Sequence, residues 1–203
     1  SDDPRGYKPK ELKGVLAPPG SYYVQLKVNS MTFEQPFTLI KDPRSSTPQS
    51  DLDEQFDLLL NIRDRLSEVH EAANMIRNLD AQLQGWISRA KAHGSLKEII
   101  DTANSIRDSL AEIEINLVAM KPPPGTVRGE VVRLNGKLVT LANVVSSADW
   151  IPTKQSYEVF DLISRQIDSS INSLKAIQDT DISSFVELIK HSELPPIYTG
   201  GFE

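Results

Sequence analysis

Cysteine is missing from all 203 residues, which excludes disulfides, thiolate metal sites and cysteine nucleophiles together. It does not decide the compartment, since many exported proteins lack cysteine as well. Also missing is any apolar run near the roughly 18 residues needed to span a bilayer. The opening "SDDPRGYKPKELKG" has none of the regions of a signal peptide, so a signal, if the parent protein is exported, is expected upstream. No long block of Lys and Arg occurs, and the formal charge is −6, which argues against a nucleic-acid footprint or a polybasic membrane patch. Absent too are a G-x-S-x-G elbow, a P-loop and a dinucleotide glycine pattern. The stretch "PPPGTVRGEVVRLNG" has glycines, but no strand precedes it and no phosphate-type lysine follows in register.

What is present is enough to fold. Apolar residues make up 39% and charged residues 25%, an ordinary soluble balance that argues against wholesale disorder, and the length suits one substantial core or one domain with an appendage. Within "LAPPGSYYVQLKVNSMTFEQPFTLIKDPR", Tyr22, Val24, Leu26 and Val28 alternate with Tyr23, Gln25 and Lys27 as a half-buried strand does. After the turn-type pair Asn29-Ser30, residues Met31, Phe33, Phe37 and Leu39 keep that parity, so a β-hairpin is expected. Pro36 lacks an amide hydrogen, which makes its strand an edge or places a bulge there.

From about Ser50 the period becomes helical. Leu52, Phe56, Leu59, Ile62, Leu66, Val69, Ala73, Ile76, Leu79, Leu83, Ile87 and Ala90 step by threes and fours, a long amphipathic helix ending near His93-Gly94. The capping box "SLKE" at Ser95 opens a second, with Leu96, Ile99, Ala103, Ile106, Leu110, Ile113, Leu117 and Met120 inside, expected to return antiparallel. "KPPPG" stops it. A third helix of about five turns carries Val131, Leu134, Leu138, Leu141, Val145 and Ala148. A fourth, capped by Thr153, carries Tyr157, Phe160, Ile163, Ile167, Ile171, Leu174 and Ile177, and a short fifth runs from about Asp181 to His191. The first helix, about 42 residues against about 26 for the second and fourth, overhangs a simple bundle at its start. Hairpin and fifth helix are expected to cover Leu52, Phe56, Leu59 and Ile62 there.

The expected architecture is therefore mainly α: an antiparallel four-helix bundle with a long first helix and a short extra helix, preceded by an N-terminal β-hairpin. The segments are a hairpin over residues 1–45, a bundle over 46–192 and an extended tail over 193–203. Chemistry is sparse. His70, His93 and His191 are isolated in sequence and read as structural, without the spacing of a metal site. Asp51, Asp53, Glu54, Asp57, Asp64, Glu68 and Glu71 share helix surfaces with Arg63, Arg65 and Arg77, a solvated face rather than a glycosidase pair. Trp86 and Trp150 read as caps of bundle ends, with a stacking platform for sugars or peptides as the other reading. No catalytic residue, metal or cofactor is assigned. The candidate interaction surface is the hairpin, at Tyr22, Val24, Leu26, Phe33, Phe37 and Leu39.

The hairpin run, with "DLDEQFDLLLNIRDRLSEVHEAANMIR" and "VRLNGKLVTLANVVSSADWIPTKQSYEVFDLISRQID", resembles the C-terminal region of bacterial sortilin-like proteins. These are large secreted chains with propeller repeats, often labelled glycosyl hydrolases. The resemblance implies that the hairpin is the remnant of a β-sandwich, that the partners are upstream propeller and sandwich segments, and that the protein is exported. Another protein chain at the hairpin edge is a further possible partner. It transfers no catalytic residue, because any site of the family would lie in the propeller. The expected role is a non-catalytic accessory and interaction module. An accessory domain of a glycan-degrading hydrolase, or a free-standing helical adaptor, are the alternatives.

Overall fold

The computed structural model describes residues 14–94, 96–118 and 133–192. Ser95, Met120, the "KPPPG" stop, Val131 and the 193–203 tail, all used in the sequence reading, lie outside the described residues. The protein is mainly helical with an N-terminal two-stranded antiparallel hairpin. Strands β1 (Gly20–Val28) and β2 (Met31–Leu39) are followed by α1 (Gln49–Ala92), α2 (Lys97–Leu117), α3 (Leu134–Val145), α4 (Lys154–Ala176), a π turn (Ile177–Ile182) and α5 (Ser183–Lys190). The chain divides into two compact units, Ser1–Asp64 with Val139–Phe160, and Arg65–Leu138 with Asp161–Glu203.

In the first unit the hairpin has the expected register. Val28 pairs with Met31 across Asn29-Ser30, and the pairing runs without a slip to Gly20 and Leu39. Asn29 has φ 55°, the positive value that a two-residue hairpin turn requires at its first central position, and asparagine tolerates it better than most residues. Pro36 pairs with Tyr23 inside an unbroken ladder, so β2 carries no bulge there. The start of α1 is covered differently from expectation. Gln55, buried, donates from Nε2 to the carbonyls of Val145 and Ala148, both at 2.6 Å, and Thr47 Oγ1 donates to the Asp149 carbonyl at 2.7 Å. The end of α3 and its following turn thus close over this stretch, and Leu58 and Ile62 are its buried residues. Leu52, Phe56 and Leu59 are half-buried. Helix α3 is shorter than five turns, and Ala148, placed in its stripe by periodicity, is exposed in the turn that follows.

In the second unit the core stripes hold: Leu66, Val69, Ala73, Ile76, Leu83, Ile87 and Ala90 from α1, and Ile99, Ala103, Ile106, Leu110, Ile113 and Leu117 from α2, are buried. Leu96 is exposed, because α2 begins one residue later at Lys97. Two ion pairs set the direction of α2. Arg77 Nε meets Glu114 Oε1 at 2.6 Å and Asp80 Oδ1 accepts from Arg107 Nε at 2.7 Å, so numbers rise on α1 as they fall on α2. The pair is antiparallel, as read from sequence.

Helix α4 departs from that reading. Arg65 grips Asp168 with both guanidinium nitrogens, at 2.8 and 3.3 Å, and Gln178 reaches Met75 Sδ at 3.1 Å, each across 103 residues of sequence. A constant separation means that α4 runs parallel to α1, which an all-antiparallel four-helix bundle does not allow. The fifth helix is corrected with it. The π turn joins α4 to α5 in unbroken helical backbone, with Ala176 and Ser183 both right-handed, and turn and α5 pack on α2. Since α4 travels with α1 rather than back along it, α5 lies beside the start of α2, with Leu188 and His191 near Leu96 and Ile99.

Candidate functional site

The hairpin presents one apolar face. Strand parity and the observed register place Tyr22, Val24, Leu26 and Val28 of β1 beside Phe37, Gln35, Phe33 and Met31 of β2, with Leu39 at the end, because directly paired residues of an antiparallel ladder share a side. Tyr22 and Phe37 stack at 5.8 Å between ring centroids, and the Tyr22 hydroxyl donates to the Pro18 carbonyl at 2.6 Å. Tyr22 is half-buried in consequence.

The remaining side chains of this face are covered by nothing among the described residues. Val24, Leu26, Val28, Met31, Phe33, Phe37 and Leu39 are 38–59% exposed. All six residues singled out from sequence lie on this face, and the structure adds Val28 and Met31, which the same parity identifies. The expectation that the ribbon covers the start of α1 is overturned, since its apolar face is open. Its link to α1 is polar: Gln49 Nε2 donates to the Pro19 carbonyl at 3.0 Å, and Lys41 Nζ to the Thr47 carbonyl at the approach to the helix. The opposite face is ordinary surface, with Gln25 Nε2 3.4 Å from Glu34 and Lys27 beside Thr32.

Seven apolar residues half-exposed on one side of a ribbon amount to several hundred Å², at or beyond the size of the largest apolar patch of a typical monomer. A lone hairpin is marginally stable in water, and packing of such a face on another layer is what makes it durable.

Elsewhere the titratable residues form structural pairs. Arg65 sits between Glu68 and Asp168; burial alone would lower its pKa, but the two carboxylates outweigh this and hold it above the ordinary arginine value. Burial, with the charges of Glu54 and Asp57, raises the Tyr157 phenol. His93 and His191, isolated in sequence, line one groove at the start of α2 together with Lys97 and Leu188. His70 is exposed on α1. Among the described residues no group of three or more His, Asp or Glu side chains is placed to hold a metal ion, and no helix is long and apolar enough to cross a membrane. Trp86 is half-buried under the Arg89 guanidinium, 4.6 Å from the ring centroid, whereas Trp150 is 62% exposed in the turn that follows α3.

No family model matches the chain, and neither a curated protein nor a solved structure does.

Proposed function

We propose that this chain is a non-catalytic interaction module whose binding surface is the apolar face of the hairpin, and that the helices form a closed bundle serving as its rigid support. The observation that carries the proposal is the exposure of Val24, Leu26, Val28, Met31, Phe33, Phe37 and Leu39 on one side of a two-stranded ribbon. Two packed sheets sit about 10 Å apart with interdigitating side chains, and this face supplies half of such a layer. The occupant is a β-layer of the same, longer protein, the sandwich implied by the resemblance to exported sortilin-like propeller proteins. The module's role there is accessory: it holds the end of the β-layer on a helical mount.

The test compares the 203-residue chain with the product of the whole reading frame that encodes it. A dye that fluoresces on apolar surfaces is expected to bind the isolated chain, to bind it less in Leu26→Asn and Phe33→Asn, and to be excluded from the same face in the longer protein. A reading frame without a β-rich segment before this chain, or a longer protein in which Leu26 and Phe33 remain open to the dye, overturns the reading.

A further inference from the structure

The turn of the hairpin determines which backbone groups face outward. In a β-turn the carbonyl of the first residue accepts from the amide of the fourth, so Val28 and Met31 form a hydrogen-bonded pair. Along an antiparallel ladder bonded and non-bonded pairs alternate. Leu26 with Phe33, Val24 with Gln35 and Tyr22 with Phe37 are therefore bonded inward. Lys27 with Thr32, Gln25 with Glu34, Tyr23 with Pro36 and Ser21 with Thr38 turn their N–H and C=O groups to the outer edges.

Pro36 falls on an outward position, and the ladder loses nothing to it, which explains the absence of a bulge. The cost falls on the outer edge of β2, where a donor is missing and a ring stands in the path of any added strand. The outer edge of β1 has no such interruption. Ser21, Tyr23, Gln25 and Lys27 offer a complete row of donors and acceptors, and β1 has β2 as its one strand neighbour among the described residues.

We propose that a second copy of this chain adds to the open β1 edge, antiparallel, about a two-fold axis at Val24. With the axis there all nine residues of β1 pair. Val24 lies opposite its own counterpart, Tyr22 opposite Leu26, Tyr23 opposite Gln25 and Ser21 opposite Lys27. The outward residues Tyr23 and Gln25 meet each other, as hydrogen bonding across the new seam demands. The single charge of the strand, Lys27, faces a neutral hydroxyl, and the two lysines stand at opposite ends, about 20 Å apart at 3.4 Å per residue. The product is a four-stranded sheet in the order β2-β1-β1-β2 with one continuous apolar face, past the strand number at which a sheet becomes stable in its own right. Both of its outer edges are β2 strands closed by Pro36, so the assembly ends at two copies instead of growing into a fibre. This proposal goes beyond the preceding one and is separable from it, because it concerns the edge of the ribbon and not what covers its face.

Sedimentation of the 203-residue chain over a concentration series tests it, with circular dichroism to check that each variant keeps its helices. The wild-type chain is expected to dimerise. Gln25→Pro removes an outward N–H from β1 in each copy without touching the hairpin ladder, and should raise the concentration of half-association about tenfold or more, as expected for the two symmetry-related backbone hydrogen bonds lost across the seam. Glu34→Pro makes the same change on the β2 edge, loses the same Gln25 side-chain contact, and should dimerise like wild type. So should Phe33→Asn, which alters the face alone. A hydrogen-exchange measurement needs no substitution: the amides of Tyr23 and Gln25 should be protected at high concentration and unprotected on dilution, while those of Thr32 and Glu34 exchange freely at both. A chain that stays monomeric throughout, dimerisation that survives Gln25→Pro, equal loss in Gln25→Pro and Glu34→Pro, loss in Phe33→Asn, or exchange at Tyr23 and Gln25 that ignores concentration would each overturn the proposal.

Discussion

At the residue scale, α2 buries Glu114 in line with Ile113 and Leu117, and its carboxylate is held by Arg77, whose own side chain is 57% exposed. Removing the arginine strands a desolvated acceptor. Arg77→Ala is therefore expected to cost about 1–3 kcal/mol in urea unfolding, whereas Arg107→Ala, which breaks a pair with two part-exposed partners, should cost less than about 1 kcal/mol. Ser164 presents the opposite case. Its hydroxyl is buried with no hydrogen-bond partner among the described residues, although Ser170 and Ser173 on the same helix bond back to the carbonyls four residues before them. Ser164→Ala is expected to be neutral or to stabilise by up to about 1 kcal/mol, again by urea unfolding. Near the end of α5, the hydrogen bond from Lys190, followed by its charge and a smaller contribution from His191, holds the Glu187 carboxyl below the ordinary glutamate value. A lowered carboxyl pKa supports the folded state above the unfolded value and loses that support as pH falls through the lowered one. Carboxyl resonances should show Glu187 titrating below free glutamate in wild type and returning toward it in Lys190→Ala. Neither Glu114 nor Ser164 was visible in the sequence as special, because both lie one position from an apolar stripe and periodicity does not say which border residues are sealed.

Among the elements, the hairpin was the most legible: alternation gave its faces, Asn29-Ser30 its turn and Pro36 its edge character. The start of α4 was equally readable. Thr153 Oγ1 accepts from the Ser156 amide at 3.2 Å, so Thr153→Ala should cost about 1 kcal/mol in chemical unfolding, the usual value of a lost N-cap. The first turns of α1 were less legible. Leu52, Phe56 and Leu59 fit the stripe, yet the buried set there is Gln55, Leu58 and Ile62, because the neighbouring chain brings carbonyls that a glutamine can satisfy. The π turn hid in plain view. Its five-residue step from Ile177 to Ile182 breaks the three-four rhythm and reads as a new helix, although the backbone winds on with one extra residue.

For the whole molecule, the parallel run of α4 with α1 is the feature with the widest consequence, since it rules out an all-antiparallel bundle. The absence of cysteine makes this directly testable. In Met75→Cys with Gln178→Cys, a short bismaleimide is expected to link the two positions and shift mobility on a denaturing gel, whereas Met75→Cys with Asp161→Cys, about four turns earlier on α4, should not link. Reversal of that pattern would contradict the direction of α4. The sequence by itself determined the two strands, the positions of the helices, most of the residues they bury and the polar cap at Thr153. These follow from side-chain periods of 2.0 and 3.6 residues and from chemistry within one turn, all local quantities. Only the tertiary structure decided which helix meets which, in what direction, and that the ribbon's apolar face stays open. An amphipathic stripe states that a face must be buried, but the neighbour that buries it is selected by how the connections turn, and no periodicity encodes that.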